Sequence, residues 1–96
     1  MDMSDVFVRS ADVILREVAG ERILVPIRSG MADLQAIFSL NNVGTCIWEQ
    51  LDGTRPLAAV LDKVLDRFDV SPEEGRADLL GFIGQLLSAG LIERCR

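Results

Sequence analysis

The hydrophobic pattern of this chain changes its period once, at Asn41-Asn42, and that change limits the folds open to it. Before it, apolar and branched residues come in short runs. Val13-Ile14-Leu15-Arg16-Glu17-Val18 is one such run and Arg22-Ile23-Leu24-Val25-Pro26-Ile27 another, separated by Ala19-Gly20-Glu21. Two branched runs around a short Gly-containing turn predict a β-hairpin. Pro26 cannot donate to a sheet ladder, so it belongs at a strand end or an edge. Ala36-Ile37-Phe38-Ser39-Leu40 reads as a short third strand, after a loop over Arg28–Leu34. Val6-Phe7-Val8-Arg9 is a weaker extended segment.

After Asn41-Asn42 the spacing becomes helical. Either Asn can cap the next helix, because its side-chain oxygen accepts from an orphan N–H. Val43, Ile47 and Leu51 recur every fourth residue and place a helix from about Val43 to Leu51, with Cys46 and Trp48 beside the stripe. Trp48 is expected to be a buried stability residue. Asp52-Gly53 reads as that helix's end, Thr54 as a cap, and Pro56 as a first-turn residue of the next helix. Leu57, Val60, Leu61, Val64, Leu65 and Phe68 give that helix a clean apolar stripe. Ser71-Pro72-Glu73-Glu74 combines a cap, a first-turn proline and acids at the positive end of the dipole. The third helix starts there and runs to about Ala89, with Gly90 as its stop and Leu91-Ile92-Glu93 as a short extended tail. The fold class expected is α+β and winged-helix-like, a three-stranded antiparallel sheet followed by three helices. It forms one domain over residues 1–96, with its core from about Val6 to Glu93.

Composition closes off several functions. Fifteen acidic and ten basic residues give a net charge of −5. A negative chain gains little from the counterion release that drives nucleic-acid binding. Lys63 is the only lysine, and the nine arginines are scattered singly. There is no histidine, so the commonest general base is missing. Two cysteines, Cys46 and Cys95, cannot supply the four ligands of a structural zinc site. No enzyme activity, cofactor or metal is expected. Cys46 reads as a buried small residue and Cys95 as a free thiol. No apolar run approaches the ~18 residues of a membrane span. The acidic start Met1-Asp2-Met3-Ser4-Asp5 is unlike a secretory signal, so a cytoplasmic protein is expected.

The third helix carries more apolar residues than a core stripe needs. Phe82, Leu86, Leu79, Ile83, Leu87 and Leu80 fan across roughly 160° at a helical step. Either the helix packs on two neighbours, or one margin of the fan lines an open apolar groove. Gly81 and Gly84 within it read equally as close helix packing or as room for a partner backbone. Asp62-Lys63 and Asp66-Arg67-Phe68-Asp69 read as a solvated face. Three helices after a sheet also suggest a DNA-binding winged helix, but the acidic start of the third helix would face phosphate unfavourably.

The run Phe38-Ser39-Leu40-Asn41-Asn42-Val43-Gly44, followed by Ile47-Trp48-Glu49-Gln50-Leu51-Asp52-Gly53, resembles the PqqD family. The remainder agrees in order and spacing, from Leu57–Phe68 and Ser71–Glu74 to Leu86 and Gly90-Leu91-Ile92. Asn42, Cys46, Gln50 and the long loop at Arg28–Leu34 depart from the family's usual pattern. The resemblance implies a RiPP recognition element, a peptide chaperone of natural product biosynthesis. Such a module binds the leader of a ribosomally made precursor peptide. The leader adds as a strand beside the third strand and lies against the third helix. The module presents it to a modifying enzyme, often a radical SAM protein. The peptide-binding residues expected are Ala36, Ile37, Phe38, Ser39 and Leu40 on the strand, with Leu80, Ile83 and Leu87 on the helix. Arg76 would pair with an acidic leader residue. The opposite margin, near Phe82, is the other candidate for the open one. Expected partners are the leader and its enzyme, with no nucleic acid and no membrane; the competing readings are a nucleic-acid-binding winged helix and a self-associating module whose groove a second copy fills as a homodimer.

Overall fold

The computed structural model describes residues 1–27 and 38–95. Ala36, Ile37 and the loop at 28–34 lie outside the described residues. The elements run β1 (Val6–Arg9), β2 (Val13–Val18), β3 (Glu21–Pro26), β4 (Phe38–Leu40), α1 (Asn42–Gln50), β5 (Asp52–Pro56), α2 (Leu57–Arg67), α3 (Pro72–Ser88) and β6 (Ile92–Cys95).

The expected antiparallel sheet is present, in the order β2-β3-β4. Val18 pairs with Glu21 across the hairpin, leaving Ala19 and Gly20 as the loop. Both have positive φ, 53° and 83°. That is the mirror-image turn whose twist suits two-residue hairpins. Pairing continues with Leu24 opposite both Leu15 and Phe38. Alternation then puts Val13, Leu15, Leu24, Phe38 and Leu40 on the face toward the helices. Val13, Leu24 and Leu40 are buried there.

A second three-stranded sheet, β5-β1-β6, is added to this plan. β1 pairs antiparallel with both neighbours, Val6 lying opposite Pro56 on one side and Cys95 on the other. The extended segments expected at Val6–Arg9 and Leu91–Glu93 are thus strands of one sheet. Asp52–Pro56 differs from its sequence reading. Thr54 does not cap α2; its hydroxyl donates to Asp52 Oδ1 at 2.6 Å. This bond, with the Thr54 N–H, holds the Asp52 carboxyl below its ordinary pKa. The α2 cap position is Pro56, which has no side-chain capping bond. Instead, Leu57 N–H donates to Asp5 O and Ala58 N–H to Met3 O, at 2.9 and 2.8 Å. The N-terminal segment meets the orphan donors of the helix. Asp5 is also tied to Arg94 at 3.0 Å, a pair whose Arg94 end is largely exposed.

The helices follow the periodic pattern. Asn41, not Asn42, caps α1, accepting from Gly44 N–H at 2.7 Å. Leu57, Val60 and Val64 of α2 are buried, as are Leu79, Ile83 and Leu86 of α3. With Phe7, Ile47, Trp48, Leu51, Leu91 and Ile92 they form one core. Gln50 is buried, yet its amide donates to Cys46 O at 3.1 Å, so its burial leaves no unmet donor there. Ser71 caps α3 by accepting from Glu74 N–H at 3.2 Å. Ser71→Ala should cost about 1 kcal/mol of unfolding free energy, which a urea melt followed by circular dichroism will show as a shifted midpoint with unchanged slope.

Candidate functional site

The outer edge of β4 and the flank of α3 border a groove. β3 pairs with one side of β4, and no described strand pairs with the other. Among the described residues, β4 therefore presents unpaired backbone donors and acceptors along its outer edge. Its C-terminal end is set by Asn41, which begins the cap of α1 directly after Leu40. Phe38 and Leu40 point to the helix side of the sheet and Ser39 to the other, where it is exposed.

The groove has a volume of about 860 Å³. Its strand wall is Phe38, Ser39 and Leu40, with Glu21 and Arg22 at the end of β3. Val43, Gly44 and Ile47 of α1 form part of its floor, joined by Val64 and Val70. Its helix wall is Gly75, Asp78, Phe82 and Gln85 of α3. The three walls meet at Gly44, where an added Cβ would lie 3.4 Å from Leu40 Cδ2 and 3.6 Å from Phe82 Cζ. Arg22 Nη1 donates to Asn42 Oδ1 at 3.0 Å and so braces the strand wall against the start of α1.

The groove therefore brings together some of the residues expected from sequence and leaves others apart. Phe38, Ser39 and Leu40 border it. Ala36 and Ile37 lie outside the described residues. Leu80, Ile83, Leu87 and Arg76 are not among its lining residues. Ile83 has no exposed surface at all, since it sits with Leu79 and Leu86 at the centre of the apolar fan. Leu80 and Leu87 are half-buried against the core, and Arg76 is exposed. All three lie about 120–160° around the helix from Phe82 at 100° per residue. The margin of α3 that borders the groove is the Phe82 one. The middle of the wide fan is core, and its Phe82 flank borders the groove.

Sequence reasoning did not single out Asp78 and Gln85, although they share a face with Phe82 at helical spacing. The glycine that lets helices approach is Gly75, whose added Cβ would meet Leu65 and Leu61 side chains of α2 at 3.1 and 3.2 Å. Gly81 and Gly84 have nothing within 4 Å of an added Cβ, so neither serves close packing between helices. Gly81→Ala should stabilise the chain by about 0.5–1 kcal/mol through helix propensity. A raised thermal midpoint is the expected reading.

Among the described residues no group of three His, Cys, Asp or Glu side chains is placed to hold a metal ion. No described helix is long and apolar enough to cross a membrane.

Comparison with known proteins agrees with this architecture. No curated protein sequence matches the chain. A solved structure, TbiB1 in complex with the TbiA(beta) leader peptide, shares the fold with a TM-score of 0.70, covering 90% of this chain and 94% of that one at 23% sequence identity. The family model of coenzyme PQQ synthesis protein D matches residues 13–92, from the start of β2 to the start of β6. That span holds the sheet, the three helices and every wall of the groove, and on it the chain belongs to the PqqD family.

Proposed function

We propose that this chain binds the leader segment of a ribosomally made precursor peptide, without catalysing a reaction on it, and presents it to a modifying enzyme such as a radical SAM protein. The observation that carries this reading is the groove between α3 and the edge of β4 that no described strand covers. An extended peptide can add to such an edge through main-chain hydrogen bonds, while alternate side chains enter the apolar floor. Main-chain pairing supplies affinity and the floor supplies selection. TbiB1, which shares the fold, is a protein in complex with a leader peptide.

Several features support a binding role over a catalytic one. Among the described residues, the ionisable ones lining the groove are Glu21, Arg22 and Asp78. Arg22 is engaged with Asn42, and there is no histidine to act as general base. The groove face of α3 carries Asp78, Phe82 and Gln85, none of which attracts a phosphate backbone, so the peptide reading is favoured over a DNA-binding winged helix. The free thiols of Cys46 and Cys95 suit a reducing cytoplasm.

The test is titration of the ¹⁵N-labelled chain with a synthetic leader from a small precursor gene found beside its own. Amide shifts are expected on residues 38–44 and on the Gly75–Gln85 stretch of α3. Shifts centred on the solvated face of α2, with β4 and α3 silent, would place the groove's function elsewhere. Light scattering on the same sample separates peptide binding from self-association as a homodimer.

A further inference from the structure

We infer that Asp78 makes this groove selective for a peptide carrying a lysine or arginine, so the preferred leader is basic where it meets α3. The inference rests on the leader-binding reading above and names the chemistry of the ligand.

Among the described residues, the charges around the groove are few and unequal. Arg22 stands on the strand wall, its guanidinium donating to Asn42 at 3.0 Å. Glu21, next to it, is exposed and pairs across the hairpin with Val18, on the sheet face away from the helices. Asp78 stands on the opposite wall, exposed, and makes no ion pair or hydrogen bond among the described residues. The only basic residue of α3, Arg76, lies about 160° around the helix from it and does not neutralise it. Among the described residues nothing offsets this negative charge on the helix wall of the groove, on a chain whose net charge is already −5. A field of that sign favours approach of a cationic segment.

Geometry sets where the cation would stand. Asp78 precedes Phe82 by one helical turn, about 6 Å along the axis. Alternate residues of an extended strand are about 6.8 Å apart. A strand lying along α3 that seats an apolar side chain against Phe82 brings its next inward side chain to Asp78. A lysine or arginine there keeps its charged head in water while its stem covers apolar surface. This contact has the opposite sign to the one expected of Arg76 with an acidic leader residue, and it lies on the opposite flank of the helix.

The test uses the whole chain and a displayed library of random peptides, so no precursor need be known. Wild-type protein should enrich peptides with a basic residue two positions from an apolar one. Asp78→Asn should lower affinity for a selected peptide about two- to fivefold, the range of a solvent-exposed pair. That loss should shrink as salt is raised. Asp78→Lys should select acidic residues at the same position. Asp62→Lys, on the outer face of α2, should leave the wild-type preference intact. An unchanged basic preference in Asp78→Lys, or no charge preference in wild type, would overturn the inference. If peptides without a charge preference still shift the β4 amides, only the role of Asp78 fails. If no peptide is enriched and none shifts β4, the leader-binding reading fails with it.

Discussion

Trp48→Ala is expected to lower the unfolding free energy by about 3–5 kcal/mol, the range for truncating a buried large aromatic residue. Trp48 is only 2% exposed and belongs to the core that joins α1 to α2, α3 and both sheets. Domains of this size hold about 5–15 kcal/mol in total, so the loss approaches the margin. At about 4–8 °C per kcal/mol, the thermal midpoint should fall by at least ~12 °C. Calorimetry measures this directly. Trp48 does not line the groove, whereas its neighbour Ile47 does, because one helical step turns the side chain about 100°. At a temperature where the variant is still folded, its affinity for a bound peptide should therefore equal that of wild type. A variant that keeps its midpoint but loses peptide would make Trp48 a ligand contact instead.

Local signals in the sequence were strong where a single element decides its own fate. The hairpin around Ala19-Gly20, the apolar stripe of α2 and the Ser71-Pro72 start of α3 each carry their cause within a few residues. Asp52–Pro56 shows where that stops. Asp, Gly, Thr and Pro read as turn chemistry, and only pairing with β1, more than forty residues earlier in the chain, makes them a strand. The α2 start is similar: its donors are met by carbonyls of Met3 and Asp5, which no local pattern reveals. The site divides the same way. The third strand and the over-wide fan of α3 are visible in the residues. Which flank of the fan stays open depends on how α3 sits against α1 and α2, set by the close approach at Gly75 and Gly44. That is a property of packing between elements, so the flank with more leucines was not the one that borders the groove.

Phe82→Ala should separate the two flanks. Phe82 lines the groove beside Leu40 and Gly44, and it is half-buried rather than enclosed. A large aromatic residue on the wall of a peptide groove has the character of a binding hot spot, where truncation costs 2 kcal/mol or more. That corresponds to a loss of roughly thirtyfold in affinity for a leader peptide, readable by isothermal calorimetry. Stability should fall less than for Trp48→Ala, by about 1–2 kcal/mol, because part of the ring is already in water. Leu80→Ala is the matched comparison. Leu80 is half-buried against the core on the far flank of α3. Its truncation should cost a similar amount of stability through lost packing and leave affinity within twofold or so, because it removes no groove contact. The two variants thus share a stability loss and differ in which flank of α3 they truncate. The reverse result, with Leu80→Ala losing the peptide and Phe82→Ala keeping it, would move the ligand to the Leu80–Leu87 flank and leave the β4 groove unused.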